Sequence, residues 1–244
     1  MLSVEPIKAY TDNYIWLVST NEGSIVVDPG ESKEILNLID SNKIDLKGVL
    51  ITHHHYDHTN GLLDLTNKIN LEVYGPKKIE GINNIVNESD KFSLIGIDFE
   101  VIEIPGHTLD HLAFYSSNNE DPILFCGDTL FAGGCGRVFE GTFEQMHNSV
   151  QKLNQLVPET MIYCAHEYTE SNLEFVLSEI TDEFIENYYK KISAKRLIGD
   201  ISIPTTLEME RKINPFLLDV VPSDLEGLSK LEQFTELRTR KDNA

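Results

Sequence analysis

Short apolar runs separated by turn residues predict a strand-rich fold between residues 4 and 163. Each run has three or four mainly aliphatic or aromatic side chains, which is typical of short β-strands. The runs are 15–18, 24–27, 49–51, 71–74, 99–102, 112–115, 123–126 and 160–163. Helical patterns lie between some of them, at 31–41, 61–67 and 143–156. Thr142 and Gln145 have the spacing of a capping box and predict where the last of these helices begins.

Beyond residue 166 the pattern changes from strands to long helices. Helical segments are predicted at 169–178, 181–198 and 225–240, and prolines at 204, 215 and 222 break the region between the last two. The chain is therefore predicted to be a mixed α/β protein, with helices packed outside a sandwich of sheets and a helical region after residue 166.

Charge and cysteine content narrow the classes of function. Forty acidic and twenty basic residues give a net charge of -20, which disfavours nucleic acid and anionic lipid as partners. We find neither a signal peptide nor a run of about 18 apolar residues, so we expect no membrane span and a cytoplasmic location. Cys126, Cys135 and Cys164 lack C-x-x-C spacing, which indicates reduced thiols rather than disulfides or a structural zinc site.

Potential metal ligands are most concentrated in the string Thr52–His58, in which residues 53–58 have the pattern H-x-H-x-D-H. It directly follows the apolar run Gly48–Ile51, so the imidazoles are predicted to lie in the loop at the carboxyl end of a strand. His53 and His55 are spaced to bind one ion, whereas Asp57 and His58 can turn towards a second. The string therefore predicts two metal ions.

Three further polar residues follow apolar runs in the same way, namely His107, Asp128 and His166, each beside a glycine or alanine. Strand ends can meet in one cleft of a layered fold. Five imidazoles and two carboxylates suit zinc, with iron or manganese as alternatives, better than they suit an all-oxygen calcium or magnesium site. Seven ligands exceed the four of a structural zinc site, which indicates catalysis.

In these seven positions the chain resembles the metallo-β-lactamase superfamily. The resemblance implies an αββα sandwich in which His53, His55 and His107 hold one metal, Asp57, His58 and His166 hold another, and Asp128 bridges both. Other stretches of the sequence narrow the resemblance to one family of this superfamily, the hydroxyacylglutathione hydrolases, or glyoxalase II. These stretches are 12–16, 127–131, 134–137, 140–142, 166–169, 211–215 and 237–242.

With this resemblance and the change of pattern at residue 166, we expect a catalytic domain over residues 1–165 and a helical substrate-binding region over 166–244. We also expect a monomer. The expected reaction is hydrolysis of an S-(2-hydroxyacyl)glutathione thioester, for example S-D-lactoylglutathione, to D-lactate and glutathione. Asp57 and Asp128 are the expected catalytic residues. The residues implied to bind the glutathione part are Arg137, Phe139, Tyr168, Arg238 and Lys241. Some relatives have tyrosine where this chain has Phe139, so a hydroxyl contact is not expected there.

Other functions are also compatible with these sequence features. Another hydrolase of the same scaffold could open a lactone or a β-lactam, and a mono-iron persulfide dioxygenase would need a single metal. An RNA-processing member is disfavoured by the charge, and a purely structural metal site by the number of ligands. We expect His54, His111 and His147 to be structural, and Asp28 to cap the turn that it forms with Pro29 and Gly30.

Overall fold

The structure is a computed structural model that describes residues 2–117, 122–218 and 220–244. The chain divides into two compact units. The first consists of Met1–Glu103 and Asp110–Gly127, and the second of Ile104–Leu109 and Asp128–Ala244.

A six-stranded sheet in the first unit has its strands in chain order, with β1 at one edge and β6 at the other. The strands are β1 Ser3–Ala9, β2 Asn13–Thr20, β3 Gly23–Val27, β4 Leu46–Leu50, β5 Glu72–Gly75 and β6 Asn84–Ile85. The pairs β1–β2 and β2–β3 are antiparallel, whereas β3 to β6 run parallel. The segments that leave β3 and β4 therefore begin at the same edge of the sheet.

Four more strands of the first unit pair antiparallel with their chain neighbours. They are β7 Lys91–Leu94, β8 Ile97–Glu103, β9 Leu112–Ser116 and β10 Ile123–Gly127. Among the described residues of this unit the helices are α1 Lys33–Asp40, α2 Tyr56–Thr59 and α3 Leu62–Lys68. Ile35 of α1 and Leu65 of α3 are fully buried in one core with Val49 and Val73 of the sheet, so these helices are held by hydrophobic burial.

The second unit is mainly helical. Its helices are α4 Phe143–Leu153, α5 Thr169–Glu179, α6 Glu183–Leu197, α7 Leu207–Ile213 and α8 Lys230–Asp242, with a 3-10 turn at Ser223–Leu225. Its short strands form two antiparallel pairs, β11 Leu130–Phe131 with β12 Gly134–Cys135, and β13 Met161–Cys164 with β14 Thr205–Thr206. Leu173, Val176, Ile185, Ile192 and Ile213 form a buried core between α5, α6 and α7.

Side-chain caps precede the helices α4, α6, α7 and α8 of the second unit, whereas α5 starts without one. The predicted capping box of Thr142 and Gln145 is confirmed at the start of α4. The prediction of a last helix from 225 to 240 is wrong at its start, because α8 begins at Lys230 behind a second capping box of Ser229 and Glu232. Gly227, with φ +85°, lies in the left-handed region and interrupts any earlier helix.

His58 lies on the short helix α2 and not in the loop after β4, where all the imidazoles of the string were predicted. In the ranges that the structure covers, none of the helices combines the length and the apolar character needed to cross a membrane.

Candidate metal centre

The first unit brings four of the seven predicted ligands together beyond the end of β4. His53 and His55 lie in the loop, and their ring centroids are 4.7 Å apart. His58, on α2, has its ring centroid 4.1 Å from that of His53, and its Nε2 is 3.4 Å from Oδ2 of Asp57. His53 and His58 are buried. The short loop and the single helical turn thus concentrate the donor atoms of the H-x-H-x-D-H string.

Asp28 fixes the orientation of two of these histidines. Its carboxylate accepts the Thr52 N–H at 2.8 Å and the Thr52 hydroxyl at 2.7 Å, and it lies 2.9 Å from Nδ1 of His58. The Thr52 hydroxyl donates to Asp28, so it accepts from Nδ1 of His53, 3.0 Å away. Both histidines therefore carry hydrogen on Nδ1, which leaves Nε2 as the nitrogen that can bind a metal, as in metal-binding histidines.

Asp57 is oriented in a similar way. The side-chain amide of Asn13, at the start of β2, donates to Oδ2 of Asp57 at 2.8 Å. Asn13 is itself buried, so the contact is shielded from water. The sequence pattern gave no role to Asn13, although it lies in a family-like stretch.

The second unit brings together the other three predicted ligands. Nε2 of His107 is 3.3 Å from Oδ2 of Asp128, and Nε2 of His166 is 3.2 Å from the same oxygen. Nδ1 of His107 lies 2.7 Å from the carbonyl oxygen of Arg137. Because a carbonyl only accepts, His107 carries hydrogen on Nδ1, and its Nε2 faces the carboxylate of Asp128.

These distances fit bound cations. In both groups an imidazole Nε2 faces a carboxylate oxygen, and such a contact is favourable only when a proton or a cation lies between the two atoms. Ligand atoms about 2.0–2.1 Å from a tetrahedral ion are about 3.3–3.4 Å from each other, close to the 3.2–3.4 Å seen here. The donor set and its spacing therefore suit divalent metal binding.

Two glycines lie directly against the backbone of the candidate ligand aspartates. A Cβ on Gly30 would be 1.9 Å from the carbonyl oxygen of Asp57, and a Cβ on Gly136 would be 1.8 Å from that of Asp128. Neither glycine has a positive φ. Glycine is therefore required at both positions because any side chain would clash, and not because of the backbone conformation.

Side chains from α7 hold the β11–β12 hairpin, which links Asp128 to Arg137. Oε2 of Glu210 accepts the Gly133 N–H at 2.7 Å, and the Asn214 amide donates to the carbonyl oxygens of Phe131 and Gly134 at 3.1 and 2.9 Å. Asn214 also donates to Glu210 at 2.9 Å. Both side chains are fully buried. Sequence reasoning missed this network because its partners are about 80 positions apart.

Burial raises the pKa of Glu210 to about 7, although its hydrogen-bond donors oppose the rise. The folded chain then keeps a proton that the unfolded chain releases near pH 4.5. The free energy of unfolding should therefore fall as the pH rises from about 4.5 through 7. In Glu210→Gln the amide can donate to the Thr205 hydroxyl and accept from Gly133 and Asn214, so we expect a folded variant that lacks this pH dependence. Urea unfolding of both proteins at pH 5 and pH 8 checks it, and identical pH dependence would contradict the assignment.

The structure places the residues expected to bind glutathione in the second unit. Tyr168, the N-cap residue of α5, stacks on His166 with ring centroids 4.8 Å apart and an interplanar angle of 6°. Phe139 is exposed, and its ring centroid is 5.2 Å from that of His107. Arg238 is buried and donates to the Cys135 carbonyl at 2.7 Å, whereas Lys241 donates to the Ser171 carbonyl at 2.9 Å.

Several other candidates have ordinary structural contacts. His54 is exposed, and its Nδ1 lies 2.9 Å from Asp110. The three cysteines are buried and form no disulfide, and burial raises the pKa of Cys135 to about 11 and that of Cys164 to about 12. Asp28, in contrast, does more than cap a turn, because it holds two predicted ligand histidines.

Comparison with known proteins shows the family and the fold of the chain. Residues 11–166 match the metallo-β-lactamase superfamily, and residues 167–244 match the hydroxyacylglutathione hydrolase C-terminus. In structure the chain is similar to ETHE1 from Myxococcus xanthus, with a TM-score of 0.69 and 21% identity over 98% of this chain and 90% of that one. This likeness confirms the predicted mixed α/β fold of the metallo-β-lactamase type.

Curated relatives are similar over their whole length. A hydroxyacylglutathione hydrolase of Klebsiella pneumoniae is 43% identical over 97% of this chain and 98% of its own. One from Psychromonas ingrahamii is 43% identical over 100% of both chains. The protein described here therefore belongs to the metallo-β-lactamase superfamily and, within it, to the hydroxyacylglutathione hydrolase family.

Proposed function

We propose that this chain hydrolyses S-(2-hydroxyacyl)glutathione thioesters such as S-D-lactoylglutathione, with D-lactate and glutathione as products. One observation supports the proposal most strongly. In two ligand groups, imidazole Nε2 atoms lie 3.2–3.4 Å from carboxylate oxygens. Membership of the hydroxyacylglutathione hydrolase family supports the class of substrate.

The proposal includes a centre of two divalent ions. His53, His55 and His107 would hold the first ion, Asp57, His58 and His166 the second, and Asp128 would bridge them. Imidazole-rich ligand sets favour zinc, and iron and manganese are the alternatives. When bound, such ions supply Lewis acidity and lower the pKa of water towards neutrality, so that water can attack a thioester carbonyl.

The side chains around this centre act by fixing donor atoms. Asn13 keeps Asp57 from rotating, and Asp28 keeps the Nε2 lone pair of His58 directed at the ligand group. Preorganisation of this kind avoids reorganisation during the reaction. The departing glutathione thiol has a pKa of about 8.5, so no side chain needs to act as a strong acid towards it.

Cations on the second unit would bind the glutathione part, whose two carboxylates suit guanidinium groups. Arg137, Arg238 and Lys241 are the proposed residues, with Tyr168 and the backbone at Phe139 beside them. Lys241 is half-buried, and burial lowers the pKa of its ammonium group, with the charge of Arg238 adding to the effect. These cations give a chain of net charge -20 a local site for an anion.

Domain organisation, oligomeric state and location are also part of the proposal. We propose that residues 1–165 form the catalytic domain and residues 166–244 the substrate-binding region, that the enzyme is a monomer, and that it acts in the cytoplasm on a small molecule and not on nucleic acid.

The test is hydrolysis of S-D-lactoylglutathione by purified protein loaded with zinc, iron or manganese, measured by release of thiol. We expect turnover with metal, loss of turnover after chelation, and little reaction with a lactone or a β-lactam. Absence of thiol release with all three metals would reject the proposal. Faster cleavage of the lactone or β-lactam would indicate a different hydrolase of the same scaffold.

A further inference from the structure

One carboxylate oxygen joins two of the cations proposed to bind glutathione. Oδ1 of Asp242, the last residue of α8, accepts from Nε of Arg137 at 3.0 Å and from a terminal nitrogen of Arg238 at 3.0 Å. Because both nitrogens contact the same oxygen, they are within about 6 Å of each other. Two guanidinium groups this close repel each other unless an anion lies between them.

The two arginines differ in how firmly they are held. Arg238 has 6% of its side chain exposed and is anchored by its hydrogen bond to the Cys135 carbonyl. Arg137 has 53% of its side chain exposed, and within the described ranges its side-chain hydrogen bond is the one to Asp242. A long exposed side chain loses conformational entropy when it is ordered, so Arg137 depends on this contact for its position.

The contacts leave donors for a ligand. A guanidinium group has five N–H donors. Asp242 takes one from each arginine, and the Cys135 carbonyl takes one more from Arg238. Two positive side chains, Arg137 and Arg238, share one acid, so the pair keeps a net positive charge and still attracts an anion. Asp242 therefore orients the two arginines and does not block the anion-binding site that they form.

We propose that Asp242 is a positioning residue that determines specificity for the carboxylate-bearing thiol half of the substrate. It holds Arg137 beside Arg238, so that the pair binds a substrate carboxylate without first having to be ordered. This inference rests on the proposed hydrolysis of glutathione thioesters and adds a residue to it.

The test compares Asp242→Asn with wild type on two thioesters, S-D-lactoylglutathione and the lactoyl thioester of N-acetylcysteamine, which has no carboxylate. For the glutathione thioester we expect KM to rise about tenfold and kcat to stay within about twofold, because the lost interaction concerns binding. For the carboxylate-free thioester both constants should be unchanged. Asp242→Glu, which keeps the charge, should recover most of the loss in KM.

A matched control is Glu236→Gln on the same helix, which removes an acid 3.1 Å from Nε of Arg240. This variant should behave as wild type. An unchanged or lower KM in Asp242→Asn would overturn the inference, and so would an equal loss with both thioesters, which would indicate a general structural defect.

A negative result for the proposed hydrolysis can be distinguished from a negative result for the role of Asp242. If wild type hydrolyses neither thioester, binding of glutathione itself can be measured by calorimetry. We then expect the Kd to be about tenfold higher in Asp242→Asn than in wild type. Equal Kd values would overturn the role of Asp242 whatever the enzyme hydrolyses.

Discussion

Gly136→Ala is expected to destroy the ligand group of the second unit. The new Cβ would lie 1.8 Å from the carbonyl oxygen of Asp128, so the backbone that carries this candidate ligand must move. We expect a loss of about 3 kcal/mol or more in the free energy of unfolding, together with loss of bound metal. Gly30→Ala should act in the same way on Asp57, since its Cβ would lie 1.9 Å from that carbonyl oxygen. Chemical denaturation and metal analysis measure both effects.

Gly134→Ala in the same hairpin is the matched control. There the new Cβ would meet the side-chain amide of Asn172 at 2.7 Å, and a side chain can yield where a backbone cannot. A loss of about 1 kcal/mol, with metal binding retained, is the expected result. Equal losses in Gly134→Ala and Gly136→Ala would show that contact with the Asp128 backbone is not what matters.

Asp28→Asn is expected to weaken metal binding by about 10–100-fold, the range found when a partner of a ligand histidine is lost. Asp28 accepts three hydrogen bonds, from the Thr52 N–H, the Thr52 hydroxyl and Nδ1 of His58. An asparagine has only one acceptor oxygen, so its NH₂ group would face a donor. His58 would then be driven to carry its hydrogen on Nε2, where it could not bind a metal.

Competition with a chromophoric chelator measures this loss of affinity directly. Asp110→Asn provides the control, because Asp110 makes the same kind of contact with Nδ1 of His54, at 2.9 Å, and His54 is not a proposed ligand. Metal affinity should fall in Asp28→Asn and stay near the wild-type value in Asp110→Asn. The same affinity in both variants would contradict the role given to Asp28.

Much of the strand pattern was predictable because hydrophobic burial is visible locally. The eight apolar runs all overlap strands, namely β2, β3, β4, β5, β8, β9, β10 and β13. Strand β1 was not predicted. It contains Pro6 and lies at the edge of its sheet, where pairing with β2 defines it more than its own composition does.

Helix α7 was missed for a related reason. It has only seven residues between Pro204 and Pro215, and those prolines indicated broken segments. Its start depends on Thr206, whose side chain accepts the Met209 N–H at 3.2 Å. A single capping contact of this kind is a weak signal in a sequence.

The candidate ligands could be predicted from spacing, whereas their supports could not. His53 to His58 are concentrated in one string, and a short spacing restricts where their side chains can point. Asp28 lies 24 positions before Thr52, and the turn Asp28-Pro29-Gly30 has an adequate local explanation. The available clue was that Asp28 directly follows β3, whose neighbour β4 runs parallel to it and ends just before the histidines.

We propose that two metal ions bound by these histidines and aspartates make the chain a thioester hydrolase. Titration of metal-free protein with zinc, followed by hydrolysis of S-D-lactoylglutathione at each step, tests it most directly. Activity should rise until two equivalents per chain are bound and then stay constant. Full activity at one equivalent, or activity in the absence of metal, would contradict the account.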